Sequence, residues 1–218
     1  MGKIIAIVVL STSLILNPVK DIKNDSIHED IIKNIETIKK QAPTILNRRI
    51  NIYNMIKKYN PDLSSEEINQ IIKSVNKYSK KYNLPEDLIY AIIAAESGFD
   101  PYIKGRHNDI GLMQILEAHA ASWARGMKLK YEGPETLFNI DNNIHMGTYI
   151  LAFLMKKYDN DLEKVLAGYN WGYGNVDRAV ENGTDIPQYY IKLVKKHYYN
   201  LFQKELSIGI EKRYKNIY

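Results

Sequence analysis

The sequence predicts an all-α protein with at most a minor β element. Apolar residues recur at helical spacing along most of the 218 residues, and no segment shows a sustained two-residue alternation rich in β-branched side chains. Apolar residues make up 45% of the chain and charged residues 25%, so the chain can bury a hydrophobic core. These values exclude a wholly disordered protein.

The N-terminal segment 1–19 differs from the rest of the chain. Lys3 precedes the run 4–16, in which Ser11, Thr12 and Ser13 are the polar residues. A positive charge before a short apolar run is typical of a secretory signal peptide, and the run is shorter than the roughly 20 residues that span a bilayer. No clear cleavage site follows, so a signal peptide, a retained membrane anchor through residues 4–16 and a buried N-terminal helix or strand all stay open. We expect an exported bacterial protein of the periplasm, the cell envelope or the extracellular space.

Residues 20–61 are predicted to form a helical spacer or an outer layer on the main domain. Isoleucines recur there at helical spacing in a background of Lys, Asn and Glu, at Ile27, Ile31, Ile35 and Ile38. Pro61 ends this pattern, and a capping box of Ser64 and Glu67 then begins the next helix. We therefore place the main domain at residues 62–205 and a C-terminal tail at 206–218.

Glu96 is the first residue whose position suggests chemistry. The helix that starts at Pro85 has an apolar stripe, and Glu96 follows Ile92 and Ile93 by four and three residues on that stripe. Because burial disfavours a charged carboxylate, the pKa of Glu96 should rise to about 6–7, where a glutamic acid can protonate a leaving oxygen. The alternative is a helix-end glutamate that pairs with a basic side chain or faces water.

Four short segments after Glu96 suggest a family. They are Ser97-Gly98-Phe99-Asp100-Pro101, Gly111-Leu112-Met113-Gln114, Ala167-Gly168-Tyr169-Asn170-Trp171-Gly172 and Ile186-Pro187-x-x-Tyr190. In this order they resemble the motifs E-S-x-F-x-P, G-L-M-Q and A-Y-N-x-G and the closing segment of the soluble-type lytic murein transglycosylases. The resemblance covers about residues 62–200. It implies a lysozyme-like helical domain with the fold of goose-type lysozyme.

The resemblance implies a reaction on peptidoglycan glycan strands. Glu96 would be the sole acid and then base, and the β-1,4 bond between N-acetylmuramic acid and N-acetylglucosamine would be cleaved with formation of a 1,6-anhydromuramoyl end. One carboxylate suffices because the nucleophile, the C6 hydroxyl, belongs to the substrate, whereas most glycosidases need two carboxyl groups. Two alternatives stay open, namely a hydrolytic muramidase on the same fold and a non-catalytic protein that binds peptidoglycan or assists assembly.

The resemblance also implies substrate contacts for five residues, Ser97, Met113, Gln114, Tyr169 and Asn170. Most of them have a structural alternative. The Ser97 hydroxyl could support the helix end, the Gln114 amide could satisfy buried backbone groups, and Asn170 could cap a helix. Tyr169 continues a core stripe by its spacing, but an apolar ring with a polar tip can serve both the core and the cleft.

Two departures from the family pattern concern the sugar contacts. Gly105 stands where many members carry a serine, and residues 116–119 replace the usual proline and threonine, although the spacing from Glu96 to Gln114 is intact.

Asp109 lies on a loop that should border the cleft. If its carboxylate faced Glu96 across the substrate it could hold a water and make the protein a hydrolase. We favour the alternative, a loop aspartate bonded to nearby backbone N–H groups.

Composition constrains the other partners. The net charge of +5 is mild and suits an anionic polymer such as the cell wall without selecting it. The sequence shows no basic patch with interleaved aromatic residues, so it does not predict a nucleic-acid partner. The chain has no cysteine, which excludes disulfides and thiolate zinc sites, and its five histidines are scattered. We expect a monomer without metal or cofactor.

Overall fold

A computed structural model of the protein describes residues 25–206. The predicted signal or anchor segment, 1–19, lies outside these residues, as does nearly all of the predicted tail, 206–218. The chain divides into two units, residues 1–50 and 51–218. In the first unit the described residues are helical, and Ile45 and Leu46 are exposed.

The described residues form nine α-helices, one π-helix and two short strands. In chain order they are α1 (Asp25–Tyr59), α2 (Ser65–Tyr82), α3 (Glu86–Ser97), β1 (Asp109–Ile110), β2 (Ile115–Leu116), α4 (Glu117–Met127), α5 (Glu135–Phe138), α6 (Ile140–Lys157), α7 (Leu162–Ala167), the π-helix (Gly168–Gly172), α8 (Tyr173–Glu181) and α9 (Tyr189–Phe202). The strands pair antiparallel, with Asp109 opposite Leu116 and Ile110 opposite Ile115. The predicted all-α class with a minor β element is confirmed. Within residues 25–206, no helix combines the length and the apolar character needed to cross a bilayer.

The start of α2 is the predicted capping box. Ser64 Oγ accepts a hydrogen bond from the Glu67 backbone N–H at 3.2 Å, and Glu67 Oε2 accepts one from the Ser64 N–H at 2.8 Å. Both donors would otherwise be unsatisfied at a helix N-terminus, so the pair fixes where α2 begins. At the other end, Asn83 takes the left-handed conformation that terminates many helices, with φ 52°.

The core of the second unit surrounds α3. The side chains of residues 88–94 on α3 are all buried, which is the pattern of a helix covered by protein on every face. The last turns of α1 contribute Ile52 and Ile56 to this core. At the first turn of α3, the Asp87 carboxylate forms an ion pair with Lys204 Nζ at 2.7 Å. Lys204 follows α9, so α9 is tied to α3 at this end.

A polar cluster joins α2 to α6. Asp141 accepts hydrogen bonds from Ser74 Oγ at 2.7 Å, Lys77 Nζ at 2.9 Å and Tyr78 Oη at 2.6 Å. The ring of His145 stacks on that of Tyr78, with centroids 4.1 Å apart. These contacts supplement the apolar packing between the two helices and fix their register.

Candidate active site

Glu96 lies in the last turn of α3, next to an abrupt change in chain direction. Gly98 is left-handed with φ 58°, and its N–H donates to the Ala94 carbonyl as the helix ends. Phe99 follows with φ 69° and a fully buried ring. A left-handed conformation costs a non-glycine residue about 1–2 kcal/mol, so the packing of the Phe99 ring must offset this cost.

The Ser97 hydroxyl supports this helix end. It lies 2.9 Å from the Leu112 carbonyl oxygen and 3.1 Å from that of Ile93, and it can donate to either. The contact to Leu112 joins the end of α3 to the loop between the two strands. The geometry favours the structural alternative for Ser97 over a direct sugar contact.

Asn143 holds the same loop through hydrogen bonds of its side chain. Its Nδ2 donates to the carbonyls of Ile110 and Leu137, both at 2.8 Å, and its Oδ1 accepts from the Met113 N–H at 2.8 Å. The side chain is buried, so each lost bond would leave a backbone group unsatisfied. Gly111 makes this possible because it has φ 74° and because a Cβ there would collide with the Asn143 amide.

The Met113 side chain lies in the core. It is fully buried, and a Cβ at Gly147 would lie 2.7 Å from Met113 Cβ, so only glycine allows helix α6 to approach this closely. The Met113 carbonyl accepts a hydrogen bond from Tyr169 Oη at 3.0 Å. This placement differs from the expected direct substrate contact, because the hydrophobic side chain fills the core beneath the loop.

The Gln114 side chain folds back on its own loop. Its Nε2 donates to the Gly111 carbonyl at 3.1 Å, with the carbonyls of Ile103 and Asp109 at 3.4 Å. A Cβ at Gly105 would lie 2.7 Å from Gln114 Oε1 and 3.0 Å from Asp109 Oδ2. In their present positions the side chains of Gln114 and Asp109 occupy the space that a serine side chain at position 105 would need.

Tyr169 and Asn170 lie on the π-helix, which continues directly from α7. Asn170 does not cap a helix as its structural alternative required, and its side chain is exposed. Trp171 is also exposed, whereas Tyr169 is half-buried. Single-turn π-helices are frequent at functional sites because they widen the helix and redirect side chains.

Tyr190 is a site residue that was predicted only as the last residue of the closing segment, without a role. It lies in the first turn of α9, is buried, and donates a hydrogen bond from its hydroxyl to Glu96 Oε1 at 2.5 Å. The segment Ile186-Pro187-x-x-Tyr190 contained the signal, but its spacing does not say which of several neighbouring tyrosines meets Glu96.

The environment of Glu96 raises the pKa of its carboxyl group toward neutral pH. Burial raises the pKa of Glu96 to about 7; the hydrogen bond from Tyr190 opposes this shift, and the negative charge of Asp109 adds to it. Burial and the charge of Glu96 raise the pKa of the Tyr169 and Tyr190 hydroxyls well above their ordinary value. The prediction of a raised Glu96 pKa is confirmed. A carboxyl group that titrates near pH 7 can both donate and accept a proton.

Asp109 borders the same space at the start of β1. Its backbone carbonyl accepts from the Gly105 N–H at 2.7 Å, while its carboxylate lies 4.0 Å from the exposed His107 Nδ1. We predicted that the Asp109 carboxylate would accept the loop hydrogen bonds, but the backbone carbonyl of Asp109 accepts instead. Among residues 25–206, no group of His, Asp or Glu side chains is arranged to hold a metal ion.

Comparison with known proteins relates this geometry to a family. The family model described as "Transglycosylase SLT domain" matches residues 73–191, more than half of the chain. Membrane-bound lytic murein transglycosylase C of Serratia proteamaculans is 30% identical over 165 residues, which are 67% of this chain and 46% of that protein. The protein with the same name from Pectobacterium atrosepticum is 33% identical over 134 residues, 57% of this chain and 38% of that protein. The chain thus spans less than half the length of these relatives.

Two solved structures have a similar fold. The 70 kDa soluble lytic transglycosylase of Escherichia coli matches 61% of this chain and 24% of its own, with a TM-score of 0.56 and 26% identity. An inactive variant of the lytic transglycosylase Slt of Pseudomonas aeruginosa matches 60% of this chain and 24% of its own, with a TM-score of 0.54 and 19% identity. The second likeness concerns the fold alone.

Proposed function

Because the chain belongs to the transglycosylase SLT family, we propose that it is a peptidoglycan lytic transglycosylase with Glu96 as its sole acid and base. The observation that carries this proposal is the Glu96 carboxyl group, which accepts a hydrogen bond from Tyr190 and whose pKa desolvation raises to about 7. The product would be a glycan strand that ends in 1,6-anhydro-N-acetylmuramic acid.

In the first step Glu96 acts as a general acid. Tyr190 donates to Oε1, so the proton on Oε2 is free to pass to the glycosidic oxygen between N-acetylmuramic acid and N-acetylglucosamine. The bond from C1 to this oxygen breaks, and the N-acetylglucosamine part leaves with the proton. The Tyr190 hydroxyl then stabilises the carboxylate that remains, because a hydrogen bond to a charged acceptor is stronger than one to a neutral acceptor.

In the second step the Glu96 carboxylate acts as a general base. It takes the proton of the muramoyl C6 hydroxyl, whose oxygen forms a bond to C1 and closes the anhydro ring. Glu96 is thereby returned to its protonated form, and no water is consumed. A pKa near the working pH suits both directions of transfer.

The predicted site residues divide into two groups in this proposal. Tyr169, which is close enough to Glu96 for the Glu96 charge to raise its pKa, would contact sugar groups. Asn170 beside it and the Gln114 amide would do the same, because all three carry hydrogen-bonding groups. Ser97 and Met113 would act through the backbone, the first by joining α3 to the strand loop and the second by accepting from Tyr169.

Product analysis tests the proposal. Purified peptidoglycan is digested with the protein and with the variant Glu96→Gln, and the soluble products are identified by mass spectrometry. We expect anhydro-muropeptides from the wild type alone. Products of equal yield from Glu96→Gln would refute the role of Glu96, and wall binding without any products would support the non-catalytic alternative.

Hydrolysis is a second candidate because of Asp109. Its carboxylate is near enough to raise the pKa of Glu96, and a second carboxyl group near the acid is what a hydrolase uses to activate water. In this case the products would carry hydrated reducing ends, and Asp109→Asn would abolish them. Anhydro ends that persist in Asp109→Asn would exclude this candidate.

We also propose a place of action. Peptidoglycan lies outside the cytoplasmic membrane, and the apolar segment 4–16 would direct the chain there as a signal or keep it there as an anchor. The curated relatives are named as membrane-bound. Residues 62–205 would form the catalytic domain and act as a monomer. Cell fractionation with an antibody against this domain tests the location.

A further inference from the structure

We propose that Tyr59 and Asn60, which precede the family-matched region 73–191, are positioning residues for Glu96 and Tyr190. They form the end of α1 and the residue after it, a segment that the sequence assigned to a spacer. The proposal rests on the function proposed above. It gives this segment a role in the reaction that neither the family match nor the curated relatives assign.

The first link joins this segment to the turn after Glu96. Asn60 Nδ2 donates to the Phe99 carbonyl at 3.2 Å, and the Tyr59 ring meets the Phe99 ring edge-on with centroids 5.6 Å apart. Phe99 is the buried left-handed residue three positions after Glu96. A residue in this conformation persists only where its surroundings hold it, and both contacts act on it directly.

The second link joins the same segment to the helix that carries Tyr190. The Tyr59 hydroxyl lies 3.0 Å from His197 Nδ1, within hydrogen-bonding distance, and the two rings are 5.8 Å apart. His197 and Tyr190 lie on α9 seven residues apart, which places them on the same face two turns from each other.

Through these two links, Tyr59 and Asn60 connect the two parts of the fold that carry the Glu96–Tyr190 hydrogen bond. One part is the turn at Phe99, which follows Glu96, and the other is α9, which carries Tyr190. Asn60 is itself fixed, because its Oδ1 accepts from the Asp62 N–H at 3.1 Å and its own N–H donates to the Ile56 carbonyl at 2.9 Å. A shift at Asn60 would move Glu96 relative to Tyr190 without changing either residue, and misplacement by about 1 Å can cost a reaction up to about 100-fold.

The test uses Asn60→Ala in the full chain, with Asn54→Ala as the matched control on an exposed site of α1. Two quantities are measured. One is the initial rate of release of soluble products from peptidoglycan, with its kcat and KM. The other is the pKa of the Glu96 carboxyl group, read by carbon NMR without any substrate. The groups that face Glu96, namely Tyr190, Tyr169 and Asp109, are unchanged in both variants.

We expect Asn60→Ala to lower kcat about tenfold with KM unchanged and to raise the Glu96 pKa, because a weaker bond from Tyr190 stabilises the carboxylate less. Tyr59→Phe, which keeps the ring, should act in the same direction with a smaller effect. A folded Asn60→Ala protein with kcat and Glu96 pKa equal to those of Asn54→Ala would overturn the proposal. If Asn60→Ala does not fold, Asn60→Asp keeps the size and the acceptor for Asp62, with Asn54→Asp as the control for charge. A wild type without products would refute the proposed function, while the NMR measurement would still decide the positioning role.

Discussion

Replacement of Tyr190 by phenylalanine tests the acid in the most direct way. The variant removes one hydroxyl group and leaves the buried ring, so it takes away the donor to Glu96 Oε1 at 2.5 Å and creates almost no cavity. A hydrogen bond to a charged group contributes about 1.5–3 kcal/mol. One pKa unit corresponds to about 1.4 kcal/mol, so the pKa of Glu96 should rise by about 1–2 units from its value of about 7.

The same energy enters the barrier of the first step. The carboxylate that forms as Glu96 gives up its proton loses its stabilising donor, and about 1.5–3 kcal/mol of barrier corresponds to a rate about 10- to 150-fold lower. The acid works only while protonated. The rate of the wild type should therefore fall as the pH rises through about 7, and that of Tyr190→Phe should fall at about pH 8–9.

The assay is the initial rate of anhydro-product release between pH 5 and 10 for the wild type, Tyr190→Phe and the control Tyr199→Phe. Tyr199 is exposed on the same helix, so its variant should behave as the wild type. The reasoning is refuted if the decline of Tyr190→Phe occurs at the same pH as that of the wild type, or at a lower pH. It is also refuted if Tyr199→Phe shows the same change.

Three further predictions concern stability. The pKa of Glu96 is about 7 in the folded state against 4.5 for a free glutamate, so the folded state loses stability as the pH rises between these values. The free energy of unfolding of Glu96→Gln relative to that of the wild type should therefore be about 3 kcal/mol higher at pH 8 than at pH 4. Urea unfolding measures this difference, and an equal difference at the two pH values would contradict the prediction. Gly111→Ala should lower the free energy of unfolding by at least about 3 kcal/mol, because a left-handed alanine must also displace the Asn143 amide. A melting temperature within 2 °C of the wild type, roughly the span of a 0.5 kcal/mol change, would exclude the collision. Ser64→Ala should cost about 1 kcal/mol through loss of the cap with Glu67, with product release unchanged, and a neutral result in chemical unfolding would show that the cap contributes nothing.

Local sequence signals predicted much of the fold. The capping box of Ser64 and Glu67 was predicted and determines where α2 begins, because it depends on two residues three positions apart. The position of Glu96 on the apolar stripe of α3 likewise predicted its raised pKa, because burial follows from helical spacing. Such features need no knowledge of distant parts of the chain.

Contacts between distant residues were not predictable in the same way. Tyr190 lies 94 positions after Glu96, and the spacing within α9 cannot say which of its tyrosines meets the acid. The burial of Met113 depends on the bare backbone of Gly147, and the bonds of Asn143 depend on a loop 30 residues earlier. The resemblance to a family indicated which residues cluster, while the partner of each atom required the three-dimensional structure.

The π-helix Gly168–Gly172 ends at a glycine that the backbone itself requires. Gly172 has φ 88°, so the helical winding is interrupted there before α8 begins at Tyr173. L side chains rarely adopt this conformation, and a residue with a Cβ at position 172 would be strained although the space around it is open. Point substitutions at the exposed Asn170 and Trp171 should therefore be better tolerated by the fold than any replacement of Gly172, and engineered variants of this segment are best made with that glycine kept.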